Sequence, residues 1–212
     1  MSMENLSQIF FNWNVRNKNI VIDVFKIGYL LITTVLVLTA YLLSRHERII
    51  GIYAMGELSG KIAISFFCLT ILPGILRRFS FRNVTISLIM LYRRHLGIST
   101  FAFAFYHYAA IRLFPILFGG DPFIVWLPIF EVFGVFSLYT MALLFFTSNV
   151  WSIQKLGKWW GRIHALIYCI AWTIFGHVFL QEISFWTILI GSCAILETIS
   201  LIYFYSQKNT AT

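Results

Sequence analysis

Six stretches of this chain, near residues 20 to 43, 60 to 77, 95 to 118, 123 to 147, 161 to 180 and 183 to 205, are predominantly apolar. An α-helix crosses the hydrocarbon of a bilayer in about 20 residues, and each run has roughly that length. The expected fold class is therefore all-α, a polytopic membrane protein built as a six-transmembrane-helix bundle over residues 20 to 206. Composition agrees: 59% of the residues are hydrophobic and 11% charged, where soluble domains are about one-quarter charged. The surrounding partner is membrane lipid.

Residues 1 to 19 read as a polar cytoplasmic leader carrying Asn14, Arg16, Asn17 and Lys18, and residues 207 to 212 as a short cytoplasmic tail. The first run is too long for a secretory apolar region and lacks a small-residue cleavage site, so it is expected to stay as a span. Cys68, Cys169 and Cys193 all fall in apolar runs and show neither CxxC nor CxxCH spacing. Disulfides, zinc knuckles and covalent c-type haem are not expected from them.

The formal charge of +8 suggests nucleic acid, but the basic residues are confined to short loops between apolar runs. Orientation in a membrane explains that placement, and no nucleic-acid partner is expected. Arg77, Arg78, Arg82, Arg93 and Arg94 in one connection, and Lys155, Lys158 and Arg162 in another, place both connections and both termini in the cytoplasm. The piece from Val84 to Tyr92 is too short to cross, and reads either as an interfacial helix or as a cytosolic extension of span three. Loops on the opposite side carry Glu47, Glu57, Asp121 and Glu182. Trp126, Trp159, Trp160 and Trp186 fall where interfacial aromatic belts lie.

The chain has five histidines. His46 lies in an outer loop and His95 at the cytosolic end of span three, whereas His107, His164 and His177 sit within spans. A neutral imidazole in hydrocarbon still needs a partner, and an interhelical hydrogen bond is its plainest use. Spans three and five run in the same direction, so depths can be compared. His177 lies about 20 Å beyond His164, and His107 about 15 Å beyond Gly97, which lets His107 meet His177 in the outer half. Two facing imidazoles without carboxylates or thiolates suit the axial positions of a haem iron held between helices three and five. A zinc or di-iron site calls for Glu, Asp or Cys.

Gly176, Gly134, Gly74 and Gly161 fit a flat ligand or plain helix packing. Arg112, about 7.5 Å outward of His107, is placed to pair with haem propionates or to snorkel. Asp23 and Lys26 form an i,i+3 interfacial pair, and Glu197 is an unassigned proton-path candidate. The step from His164 to His177 rotates about 220° on a regular helix, so the two share a face only if the helix bends.

The segments "YRRHLGISTFAFAFYHYAAIRLF" and "FFTSNVWSIQKLGKWWGRIHALIYCIAWTIFGHVFL" resemble the MsrQ-like (YedZ-type) haem-binding membrane subunits of bacterial methionine-sulfoxide reductase systems, within the ferric-reductase-like transmembrane domain superfamily. The shared elements are the "RR.LG" opening with His107 ten residues after Gly97, the Thr147-Ser148 pair, the "LGKWW..IH..IY" block and His177 thirteen residues after His164. They cover roughly residues 60 to 180.

The resemblance implies one or two b-type haems with His107, His164 and His177 as iron ligands, in a bacterial inner membrane. It also implies a cytosolic flavin reductase or quinol as donor, with FMN or quinone at the cytosolic side. The acceptor would be a periplasmic molybdopterin methionine-sulfoxide reductase-like subunit that repairs oxidised methionine. The chain is then an electron-transfer subunit, not a stand-alone enzyme, and no nucleotide-binding motif follows span six.

Relatives that reduce ferric iron or oxygen carry two histidines on span three, fourteen apart. Here the position fourteen before His107 is Arg93, so the inner pair is incomplete. A charged Arg is a poor iron ligand, and Arg93 suits propionates or a flavin phosphate instead. His95 sits about 120° around the helix from His107, against about 40° for Arg93, which makes it second choice for the inner site. A ferric or other metal reductase is an alternative reading, and a His-relay proton or metal-ion transporter a more distant one.

Overall fold

In the computed structural model the described residues are 3 to 45, 49 to 119 and 127 to 210, and they form helices with no strand among them. In chain order the helices are α1 (Met3–Arg16), α2 (Lys18–Ser44), α3 (Ile49–Arg78), α4 (Val84–Tyr108), α5 (Phe114–Gly119), α6 (Ile129–Phe146), α7 (Val150–Leu156), α8 (Lys158–His164), α9 (Ile167–Gln181) and α10 (Phe185–Thr210). A π-helical segment, Ala109–Leu113, joins α4 to α5. Among the described residues six helical stretches are long and apolar enough to cross a membrane, beginning at Lys18, Gly51, Val84, Ile129, Lys158 and Phe185. The chain is a multi-pass membrane protein. His46, Glu47, Asp121 and Trp126, which carry part of the outer-side and aromatic-belt readings, lie outside the described residues.

The bundle is turned inside out as lipid requires. Small and aliphatic side chains meet between helices, while large apolar ones such as Leu30 (67% exposed) and Ile202 (65%) cover the outside. Two clusters make the interior. One gathers Phe67, Ile71, Ile75, Met141, Ile170, Ile174, Ile190 and Ala194 from α3, α6, α9 and α10. The other gathers Leu43, Ile52, Tyr106, Ala109, Ala110 and Phe114 around the π-helical segment.

Element bounds differ from the expected spans in instructive ways. The second span was expected from about residue 60, but α3 begins at Ile49. Its first turns carry Ile52 and Ser59, both buried, and tertiary packing against α4 and the π-helical segment makes this stretch helix rather than loop. Glu57 and Lys61, which look like loop charges in sequence, pair at i,i+4 with a 2.6 Å contact. Residues 84 to 92 continue into α4 without a break, so of the two readings the extension of span three is the one found. Asn83 starts that helix, its side-chain oxygen accepting from the Ile86 N–H at 2.8 Å.

The leader also folds. In α1 Asn14 is 5% exposed, and the Tyr92 hydroxyl lies 3.3 Å from both its backbone and its side-chain oxygen. Lys26 and Asp23 form the expected pair at 2.8 Å, exposed at the surface of α2. Glu197 is not isolated: Arg78 donates to it at 2.8 Å, to Ser200 Oγ at 3.0 Å and to the Tyr168 hydroxyl at 2.8 Å. This network fastens α3, α9 and α10 together inside the bundle.

Between α8 and α9 the helix is interrupted at Ala165 and Leu166. The Leu166 N–H reaches Ile163 O at 3.0 Å and the Tyr168 N–H reaches Ala165 O at 3.1 Å, a tighter spacing than the α-helical one. The interruption falls between His164 and His177, where a regular helix would have kept the two imidazoles on different faces.

Candidate functional site

His107 stands near the end of α4, immediately before the π-helical segment, and His177 stands in α9. Their ring centroids are 6.4 Å apart with the planes inclined at 76°. His107 Nδ1 is 2.8 Å from the Gly56 carbonyl on α3, and His177 Nδ1 is 2.7 Å from the Phe130 carbonyl on α6. A carbonyl only accepts, so each Nδ1 carries the proton and each neutral ring keeps its lone pair on Nε2.

Each imidazole is also backed by a glycine. A Cβ at Gly60 would meet His107 Nδ1 at 2.9 Å, and one at Gly134 would meet His177 Nδ1 at 2.8 Å. The two halves repeat one device: Gly60 follows Gly56 by four residues and Gly134 follows Phe130 by four. One helical turn therefore supplies both the carbonyl that holds the ring and the bare backbone that lets it approach. Of the other glycines noted in sequence, a Cβ at Gly176 would make ordinary contact with Phe133 at 3.5 Å, and none at Gly74 or Gly161 would meet anything within 4 Å.

Both imidazoles line a cavity of about 610 Å³, within the usual range of about 300–1,000 Å³ for cofactor sites. Ala104, Met141 and Ile174 give its walls an apolar character, while Glu57, Lys61, Arg112, Glu131 and Glu182 also line it. Arg112 projects from the π-helical segment and meets Glu131 of α6, with Nε 3.3 Å from one carboxylate oxygen and Nη1 3.4 Å from the other. π-helical turns inside α-helices are frequent at functional sites, because the extra residue re-aims the side chains that follow.

The donor set fits a haem. Two imidazoles sharing one metal ion have each bonding nitrogen about 2 Å from it and the ring centre about 1 Å further, which sets the centroids about 6 Å apart. A bare ion needs more side-chain ligands, and among the described residues no group of three or more His, Cys, Asp or Glu gathers to supply them. A haem macrocycle brings its own in-plane nitrogens.

The remaining sequence candidates are held elsewhere. His164 Nε2 is 3.1 Å from Thr147 Oγ1, and its ring stacks on Trp160 with centroids 4.1 Å apart. Trp160 Nε1 donates in turn to Thr147 O at 3.0 Å. Trp160 is thus packed into the bundle, while Trp159 is the exposed member of the pair, with the Arg162 guanidinium 4.6 Å from its ring centre. Arg93 donates through Nε to Thr70 O at 3.0 Å. His95 is turned toward α2, where it stacks on Phe25 at 5.1 Å and meets the Tyr29 hydroxyl at 3.1 Å.

Sequence reasoning missed Gly60 and Glu131. Gly60 was hidden in an apparent loop, and Glu131 had no partner until the π-helical segment set Arg112 beside it.

Among known proteins, the chain is 34% identical over 119 residues to the "protein-methionine-sulfoxide reductase heme-binding subunit MsrQ" of Brucella ovis, and equally to those of Brucella canis and Brucella suis. Each match covers 53% of this chain and 50% of the relative. The chain spans about half the length of the curated relatives it matches. No protein-family model matches it, and no solved structure is significantly similar.

Proposed function

We propose that this chain is a b-type-haem transmembrane electron-transfer subunit. It passes electrons from a cytosolic flavin reductase or a quinol, with FMN or quinone at the cytosolic side, to a periplasmic methionine-sulfoxide reductase-like partner of the molybdopterin class. The observation that carries the reading is the His107–His177 pair, 6.4 Å apart, each ring held at Nδ1 by a backbone carbonyl and each backed by a glycine. The relatives' name supplies the kind of partner. The membrane is the bacterial inner membrane, and the arginine-rich connection from Arg77 to Arg94 faces the cytoplasm together with both termini.

A bound haem supplies a one-electron couple, and the protein supplies its ligands, orientation and electrostatics. His107 and His177 are the residues that would hold the haem iron, each through the Nε2 that its Nδ1 hydrogen bond leaves free. The carbonyls of Gly56 and Phe130 fix the tautomer and plane of each ring and raise its basicity, as partners behind metal-ligating histidines do. Ala104, Met141 and Ile174 supply apolar wall, while Arg112 and Glu131 set the local charge. Buried apolar surroundings and nearby charges are the levers that tune such a site.

The test is the reduced-minus-oxidised visible spectrum of the purified protein. A six-coordinate b-type spectrum is expected. A wild type that is colourless and takes up no added haem would overturn the reading.

A further inference from the structure

We propose that this chain holds one haem, between His107 and His177, and that the level of His164 holds no second one. The inference rests on the proposed function and sharpens it, because the resemblance by itself allows one haem or two.

Consider first the nitrogen that iron would take. Thr147 Oγ1 donates its single proton to Leu143 O, 2.7 Å away, so in the 3.1 Å contact with His164 Nε2 the hydroxyl accepts and Nε2 carries the proton. The lone pair of His164 is then on Nδ1, the nitrogen beside its own helix. At His107 and His177 the arrangement is reversed, with Nδ1 tied to a carbonyl and Nε2 left to bind. The 4.1 Å stack on Trp160 and the Trp160 hydrogen bond to Thr147 O hold the inner imidazole in this orientation.

The opposite ligand is missing too. Arg93, the residue at matching depth, is a guanidinium with donors and no acceptor, and its Nε is spent on Thr70 O. His95 faces α2 against Phe25 and Tyr29, on another side of α4. Side chains pack just outward of this level: Phe101 of α4 stacks on Phe145 of α6 at 4.8 Å, and Phe101, Leu144 and Ile167 pack on the cluster around Ile170, which is 0% exposed. Among the described residues no glycine opposes the His164 ring as Gly60 and Gly134 oppose the outer pair. Thr147, Trp160 and His164 form a closed structural unit instead.

The experiment is a titration of the full-length purified chain with hemin, followed by the Soret band and checked by pyridine haemochrome against protein mass. Wild type and His164→Gln are both expected to saturate at one haem per chain, and a redox titration should fit one Nernstian component. Saturation at two in the wild type, with one lost in His164→Gln, would overturn the inference while leaving the proposed function intact. Saturation at zero would overturn the proposed function itself. If His164→Gln fails to fold, the wild-type stoichiometry and the number of redox components still decide.

Discussion

Gly60 lies so close to His107 that a single methyl group on it would meet the imidazole Nδ1 at 2.9 Å. The ring cannot retreat without breaking its 2.8 Å hydrogen bond to Gly56 O. Gly134 and His177 repeat the relationship at 2.8 Å, with Phe130 O as the anchor. Gly60→Ala and Gly134→Ala should therefore displace the ligand rings. Overpacking of this kind costs about 1–3 kcal/mol, so haem affinity is expected to fall about tenfold or more in hemin titrations. Gly176→Ala, where the added Cβ makes ordinary contact at 3.5 Å, should bind haem like the wild type.

Arg112 and Glu131 share the cavity with both imidazoles and should move the haem potential in opposite directions. Reduction adds an electron, so removing the carboxylate in Glu131→Gln makes it easier and raises the midpoint. Arg112→Gln removes the compensating cation and lowers it. At about 10 Å and an effective dielectric near 20, a unit charge acts with roughly 1–2 kcal/mol, so shifts of tens of millivolts are expected in a spectroelectrochemical titration. Equal shifts of the same sign would contradict this assignment.

The Arg78–Glu197 pair is a stability element. Its side chains are 16% and 5% exposed, and removing one member of such a pair leaves a charge uncompensated, at a cost of about 3–5 kcal/mol. Arg78→Met and Glu197→Leu should each lower the unfolding temperature in detergent sharply. The double variant should recover much of the loss, because no lone charge remains. Additive losses in the double variant would show that the two residues act separately.

His95→Leu should leave haem content and spectrum unchanged, because His95 packs on Phe25 and Tyr29 of α2, away from His107 and His177. Loss of a haem band in this variant would place His95 in the site after all.

Much of this was legible in the sequence because membrane insertion writes long, simple signals. Apolar length marked the spans, and the rise per residue along two parallel helices was enough to match His107 with His177 in depth. What escaped it depends on contacts between helices. Gly60 and the start of α3 at Ile49 were hidden because Glu57 and Lys61 make the segment look like loop, whereas packing on α4 makes it helix. The interruption at Ala165 and Leu166 has no Pro or Gly at either position to announce it. Thr147 stood out only as part of a motif, and its hold on His164 became visible once α6 and α8 were set side by side.

The central claim is that His107 and His177 hold the same haem. It is tested most directly by the haem content of His107→Ala, His177→Ala and the double variant, purified in parallel and measured by pyridine haemochrome. Each single variant is expected to lose the b-type spectrum to the same extent, with nothing further lost in the double. Single variants that each keep half of the haem, with the double losing all of it, would contradict the account.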